Sequence, residues 1–304
     1  MIFITDRTLS CIDGYDPGTE QIRALAGLLI SAGADCIETS ERVFSACSDM
    51  LAAIPYALRL RDDKTIQSGG VRTTEFIVND IRDAYTLTRA AELPRVRLRG
   101  FDDVMLGGFK ADFRYLRGLL VGEPELCPTN AYGMATAAAV EWALTGGRYI
   151  VTTFGGVGGF AAFEEVVMAL RLARVRKVGR SYPEFPRIRE LLESITDERF
   201  APNKPIIGTE LFRVKSGIHV DGILKQPKSY LPFPPEDVGR KTEIVLSKHS
   251  GGSSVRYKLG QLGISVRKND EERILALVKS RSESKNGNIS DSELIEIVSE
   301  GVRA

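Results

Sequence analysis

The sequence predicts an α/β protein built as a (β/α)8 barrel of the TIM type, compact or incomplete, followed by a small helical C-terminal region. Three observations lead there. Short apolar runs alternate with amphipathic helical patterns through the first ~180 residues, which implies parallel strands joined by crossover helices. The chain has 304 residues, enough for such a barrel, which usually takes about 250. The texture then changes near Tyr182, where Pro183, Pro186, Pro202 and Pro205 interrupt the pattern. These features place a barrel domain over residues 1–180 and a separate region over 181–304. A doubly wound open sheet is the alternative.

Taken in order, Ile2–Thr5 reads as the first strand. A helix capped at Thr19 follows, with Ile22, Leu25, Ala26 and Leu29 on one face. Cys36–Glu38 is the second strand, and Ser40 opens the next helix. Tyr56–Arg61 is the third strand. Arg95–Arg99 alternates charged and apolar residues, and Val104–Leu106 follows closely. Glu125–Cys127 precedes an Ala-rich helix over residues 131–144. Tyr149–Phe154 is β-branched and apolar, and a helix over Phe163–Lys177 places Glu164 and Glu165 in its first turn, as the macrodipole favours. That makes seven strands where a closed barrel needs eight. In the tail, Asn269 with Glu272 and Ser290 with Glu293 have capping-box spacing, and Lys285-Asn286-Gly287 links two helices.

Composition excludes several functions. The formal charge is +1, so no basic footprint points to nucleic acid or anionic lipid. No apolar run reaches the ~18 residues that span a bilayer. The start, MIFITDRTLS, enters a strand at once and lacks the pattern of a signal peptide. With no export signal and no CxxC spacing, Cys11, Cys36, Cys47 and Cys127 read as reduced thiols of a cytoplasmic protein.

Several groups invite a chemical reading. GGVGG, residues 155–159, lies between a strand and a helix, where a phosphate can sit, but it gives no clean GxGxxG and reads first as a tight loop. Asp62-Asp63 and Asp102-Asp103 are paired carboxylates at apparent strand ends, the end that carries chemistry in a barrel; solvated loop charge is the simpler reading. Cys11 and Cys127 each follow a strand. With Asp13 and Thr129 they make a poor metal set, since threonine is a weak ligand, and small buried residues explain the cysteines equally well. His219 lies in KSGIHVDGILKQPKSY, between glycines that permit close backbone approach, with Tyr230 eleven residues on. Imidazole is suited to proton transfer near neutral pH, and a phenol can orient it. His249, in SKHSGG, reads as a turn histidine.

At GIHVDGILKQPKSY, PEDVGRKTEIVLSKHSGGSSVRYKLGQLGI, NAYGMATAAAVEWALTGG and FEEVVMALR the chain resembles the homocitrate synthase and isopropylmalate synthase family. The likeness is close over Asn130–Ile264 and looser before residue 125. Val220 after the histidine, and the short tail, favour the homocitrate synthases associated with nitrogenase cofactor synthesis. The resemblance implies a (β/α)8 barrel, a helical region that crosses to a neighbouring subunit, and condensation of acetyl-CoA with a 2-oxo acid, here 2-oxoglutarate, at a divalent metal, magnesium or manganese. His219 and Tyr230 match the histidine and tyrosine that enter the neighbour's site.

The barrel half departs from the family. Its T-L-R-D-G is Thr8-Leu9-Ser10-Cys11-Ile12-Asp13-Gly14 here, so the arginine is absent and the aspartate becomes Cys11, or Asp13 after an insertion. Its H-x-H-N is Cys127-Pro128-Thr129-Asn130, so both metal histidines are missing, and its G-E-R-A-G-N loop is shortened to Gly158–Ala162. The expectation is a hetero-oligomer in which a catalytic chain holds the metal and this chain supplies His219 and Tyr230. The alternatives are a homo-oligomer active alone through an altered site at Cys11, Asp13 and Cys127, and a non-catalytic 2-oxo acid sensor.

Overall fold

A computed structural model describes residues 1–52, 54–60, 65–68, 71–90, 92–101, 105, 107–176 and 179–303. The chain divides into two compact units, Met1–Gly208 and Thr209–Ala304.

The first unit is a closed eight-stranded barrel: β1 (Phe3–Asp6), β2 (Cys36–Ser40), β3 (Tyr56–Arg59), β4 (Thr65–Ser68), β5 (Val71–Val78), β6 (Val96–Gly100), β7 (Glu125–Cys127) and β8 (Tyr149–Thr152). Parallel pairing of β1 with β8 closes the ring, with Thr5 opposite Val151. The strand missing from the sequence count comes from a hairpin. β4 runs antiparallel to both β3 and β5, with Ser68 opposite Val71. Val104 and Leu106, where the sequence suggested a further strand, lie outside the described residues.

Crossover helices cover the barrel: α1 (Thr8–Cys11), α2 (Thr19–Ser31), α3 (Glu41–Leu51), α4 (Phe109–Gly118), α5 (Ala135–Leu144), α6 (Phe163–Leu172) and α7 (Phe185–Thr196), with a 3-10 segment over Ile81–Arg89. α2 buries Ile22, Leu25, Ala26 and Leu29, at i, i+3, i+4 and i+7. Its cap is Gly18 rather than Thr19; the Gln21 side chain accepts the Gly18 N–H at 3.0 Å. Ser40 caps α3 as expected, accepting from Val43 N–H at 3.3 Å. The first unit extends past residue 180 because Phe185, on α7, packs edge-on against Phe154 (5.4 Å) and Phe163 (6.3 Å). Fully burying such a ring contributes about 1.5–3 kcal/mol, so α7 stays with the barrel.

The second unit contains α8 (Gly217–Lys225), α9 (Gly252–Gln261), α10 (Lys268–Ser284), α11 (Asp291–Arg303) and a two-stranded ribbon of β9 (Arg213–Val214) and β10 (Glu243–Ile244). Leu246, Val255, Leu259, Ile274, Val278, Ile289, Leu294 and Ile297 form its core. The Ser290–Glu293 capping box forms: Ser290 Oγ accepts the Glu293 N–H at 3.2 Å, and Glu293 accepts the Ser290 N–H at 2.7 Å. Asn269 does not cap α10, whose first residue is already Lys268. Among the described residues no helix is long and apolar enough to cross a membrane.

Candidate functional site

The barrel interior is charged. In a parallel strand both faces are covered, so inward polar residues must find partners inside. β5, β6 and β7 place Glu75, Arg97 and Glu125 side by side on successive strands. β2 adds Glu38, β3 adds Arg59, and Arg7 follows β1. Glu38 is the hub and is fully buried. It accepts from Arg59 Nε at 2.8 Å and from Arg97 Nη1, and Arg7 Nε lies 3.7 Å away. Arg59 Nη2 reaches Glu75 at 2.9 Å, and Arg97 Nη2 reaches Glu125 at 2.7 Å. At the rim, Arg99 Nη1 lies 3.4 Å from Glu75.

Burial alone would raise the Glu38 carboxyl, but Arg97, Arg7 and Arg59 reverse it and hold the group far below the usual carboxylate range. Glu75 is lowered the same way, with Arg97, Arg59 and Arg7 overcoming its burial. Asp6, at the end of β1, goes in the opposite direction. Burial pushes it up to about 7 despite hydrogen bonds from Thr8, one of them the Thr8 N–H at 2.9 Å.

Cys11 and Cys127 come together above this network, packed with Val151 and Phe160. The Phe160 ring caps Arg7, with the guanidinium carbon 4.1 Å from its centroid. Arg7 Nη1 donates to Cys127 Sγ at 3.4 Å. Burial pushes the Cys11 thiol up to about 11 although Arg7 opposes it, and burial likewise raises Cys127 against Arg7 and Arg97. Burial thus disfavours the thiolate form at both positions. Asp13 lies in the 3-10 turn Ile12–Tyr15 and accepts from the Arg42 guanidinium. Thr129 forms an antiparallel bridge with Phe160. Among the described residues no group of three or more His, Cys, Asp or Glu is gathered to hold a metal ion. The donor set that the resemblance implies does not fit a divalent metal in this barrel. Asp62-Asp63 and Asp102-Asp103 lie outside the described residues.

GGVGG is a tight loop in which four of the five amides are bonded within the chain. Gly155 N–H donates to buried Glu164 at 2.8 Å, Gly156 N–H to Thr153 O, Val157 N–H to Phe154 O, and Gly159 N–H to Gly156 O. Gly155 has φ +67°, and a Cβ there would overlap the Phe200 ring. These amides are therefore not presented to a phosphate.

In the second unit, α8 brings His219 and Tyr230 together, their ring centroids 6.0 Å apart and tilted by 59°. Buried Val220 and Ile223 fix the helix on its core side. Gly217 N–H donates to the His249 carbonyl at 3.2 Å, so His249, in a turn, anchors the start of α8 through its backbone. Asp221 accepts from Ser253 Oγ at 2.9 Å and from Lys225 at 2.7 Å. Gly222 is required: a Cβ there would overlap the Tyr230 ring. Ile218 (79% exposed), His219 and Tyr230 (45%) face outward from this scaffold. This surface pairs an imidazole with a phenol beside exposed apolar groups.

The sequence reading missed the Arg–Glu network. Its signal was Arg95-Val96-Arg97-Leu98-Arg99, where period two places charge on the inward face of a strand covered on both sides.

Comparisons with known proteins agree with this division. Residues 206–286 match the family described as homocitrate synthase post-HMGL domain-like. The chain is 35% identical to the homocitrate synthase omega subunit of Clostridium pasteurianum over 58% of this chain and 50% of that protein. It is 37% identical to the homocitrate synthase AksA of Methanothermobacter thermautotrophicus over 57% of this chain and 45% of that protein. The chain thus spans about half the length of the curated relatives it matches. Among solved structures, the carboxyl transferase domain of Rhizobium etli pyruvate carboxylase superposes with a TM-score of 0.51 at 10% identity, covering 64% of this chain and 47% of that one. That likeness concerns the fold alone.

Proposed function

We propose that this chain, which is similar to homocitrate synthases over part of its length, is a subunit of a heteromeric homocitrate synthase that supplies His219 and Tyr230 to a metal site held by a partner chain. One observation carries the reading. His219 and Tyr230 are paired and presented outward on a well-packed helix, while the chain's own barrel interior is occupied by ion-paired arginines and glutamates. The relative named an omega subunit supports a division of labour between chains. A dimeric interface lets a segment of one chain complete the site of another.

In this reading the enzyme is a cytoplasmic acyltransferase that joins acetyl-CoA to 2-oxoglutarate, in the branch of metabolism that serves nitrogen fixation. Magnesium or manganese, held by the partner, would supply Lewis acidity. This chain would supply an imidazole that moves a proton at the acetyl methyl group and a phenol that orients it. An enzyme active alone through Cys11, Asp13 and Cys127 is disfavoured by the Asp13–Arg42 pair and by the lack, among the described residues, of three ligating side chains gathered in one place. A 2-oxo acid sensor leaves the outward His219–Tyr230 pair without a use.

The test is acetyl-CoA condensation with 2-oxoglutarate and magnesium or manganese. The chain is assayed alone and then with a homocitrate-synthase-like chain that has intact metal histidines. Turnover only in the mixture supports the reading. Turnover by the isolated chain at the mixture's rate sinks it.

A further inference from the structure

The lower half of the barrel contains a space that the proposed chemistry does not use. At its N-terminal end the inward positions carry short side chains, Cys36 on β2, Ala57 on β3 and Thr73 on β5, which do not fill the axis. A cavity of about 260 Å³ remains. Phe3, Cys36, Ala57 and Ile66 form one apolar cluster along it. Burial pushes the Cys36 thiol up to about 12, with nearby Glu125 adding to the effect, so that wall carries no charge at neutral pH. The opposite wall holds Arg95, Arg97 and Glu125.

The two arginines differ. Arg97 is saturated by Glu38 and Glu125. Arg95, one residue before β6 and on the same strand face, makes no side-chain hydrogen bond or ion pair among the described residues. A guanidinium with all its donors free, at the mouth of an apolar cavity, selects an amphipathic anion: it pairs bidentately with a carboxylate while the cavity takes an alkyl chain.

We propose that this cavity binds a short-chain aliphatic monocarboxylate, its chain against Phe3, Cys36, Ala57 and Ile66 and its carboxylate on Arg95. A second carboxylate would meet Glu125 and find Arg97 already paired, so dicarboxylates are selected against. The site lies at the opposite end of the barrel from Cys11 and Cys127, and the inference does not rest on the proposed condensing role.

The probe is isovalerate, followed by saturation-transfer NMR on the full chain. Saturable binding is expected, with glutarate and the neutral isovaleramide each at least about tenfold weaker. Arg95→Ala weakens isovalerate by about tenfold or more, and Ala57→Phe, which fills the cavity, abolishes the signal. Absence of saturable binding, equal binding of the amide, or unchanged binding in Arg95→Ala overturns the proposal. Arg95 is exposed, so that variant remains decisive should Ala57→Phe fail to fold.

Discussion

Replacing Glu38 by glutamine tests whether the barrel is held by its interior charges. Glu38 is fully buried and stands within ion-pair distance of Arg7, Arg59 and Arg97. Glutamine preserves the volume and one acceptor but removes the charge that compensates three buried guanidinium groups. Breaking a buried pair by removing one partner costs about 3–5 kcal/mol. For a unit of this size, Met1–Gly208, that corresponds to a Tm loss of roughly 6–20 °C. The control is Asp13→Asn at the Asp13–Arg42 pair, where side-chain exposures of 35% and 46% limit the loss to about 0–1 kcal/mol. Scanning calorimetry at pH 7 reads both. Adding Arg7→Met to Glu38→Gln should recover part of the loss, since Arg7 is then left with only a 3.7 Å carboxylate contact, to Glu75. A Tm change for Glu38→Gln no larger than that of the control would refute the view that this network stabilises the barrel.

Other outcomes follow from the same geometry. Asp6 is raised from 3.8 to about 7 chiefly by burial, so the folded state keeps a proton that the unfolded state releases. Its contribution to stability therefore falls as pH rises from about 4 to about 7 and is constant above. Asp6→Asn should match wild type near pH 4 and exceed it by up to roughly 4 kcal/mol at pH 8, as read by urea unfolding; a pH-independent difference contradicts the assignment. Gly222→Ala should displace Tyr230, leave far-UV circular dichroism unchanged and lower turnover in the mixed assay by about tenfold or more; full turnover would show that the tyrosine's placement is immaterial. Ser290→Ala should cost the second unit about 1 kcal/mol through loss of the cap, seen as lower protection of the first α11 amides in hydrogen exchange.

The barrel was legible because alternating strands and helices leave few topologies open. β4 and β5 were not, although Gly69-Gly70 between two β-branched runs is a hairpin signal; the expectation of crossover helices hid it. α7 was assigned to the wrong side of the boundary because prolines mark a break in local structure and not the end of a core, and Phe185 returns to the barrel. The sequence singled out His219 and Tyr230 eleven residues apart, and the structure sets their ring centroids 6.0 Å apart. What places the tyrosine, Gly222 beneath its ring, depends on a contact between a helix and a later turn that no local pattern encodes. The interior charges were visible as arginines at period two, but their partners Glu38, Glu75 and Glu125 come from three other strands.

The most direct measurement compares two variants of this chain in the mixed condensation assay, each with the intact partner chain. His219→Ala should abolish turnover, and Cys127→Ala, in this chain's own barrel, should leave it unchanged. Turnover that survives His219→Ala but is lost in Cys127→Ala would contradict the proposal and place the chemistry in this barrel.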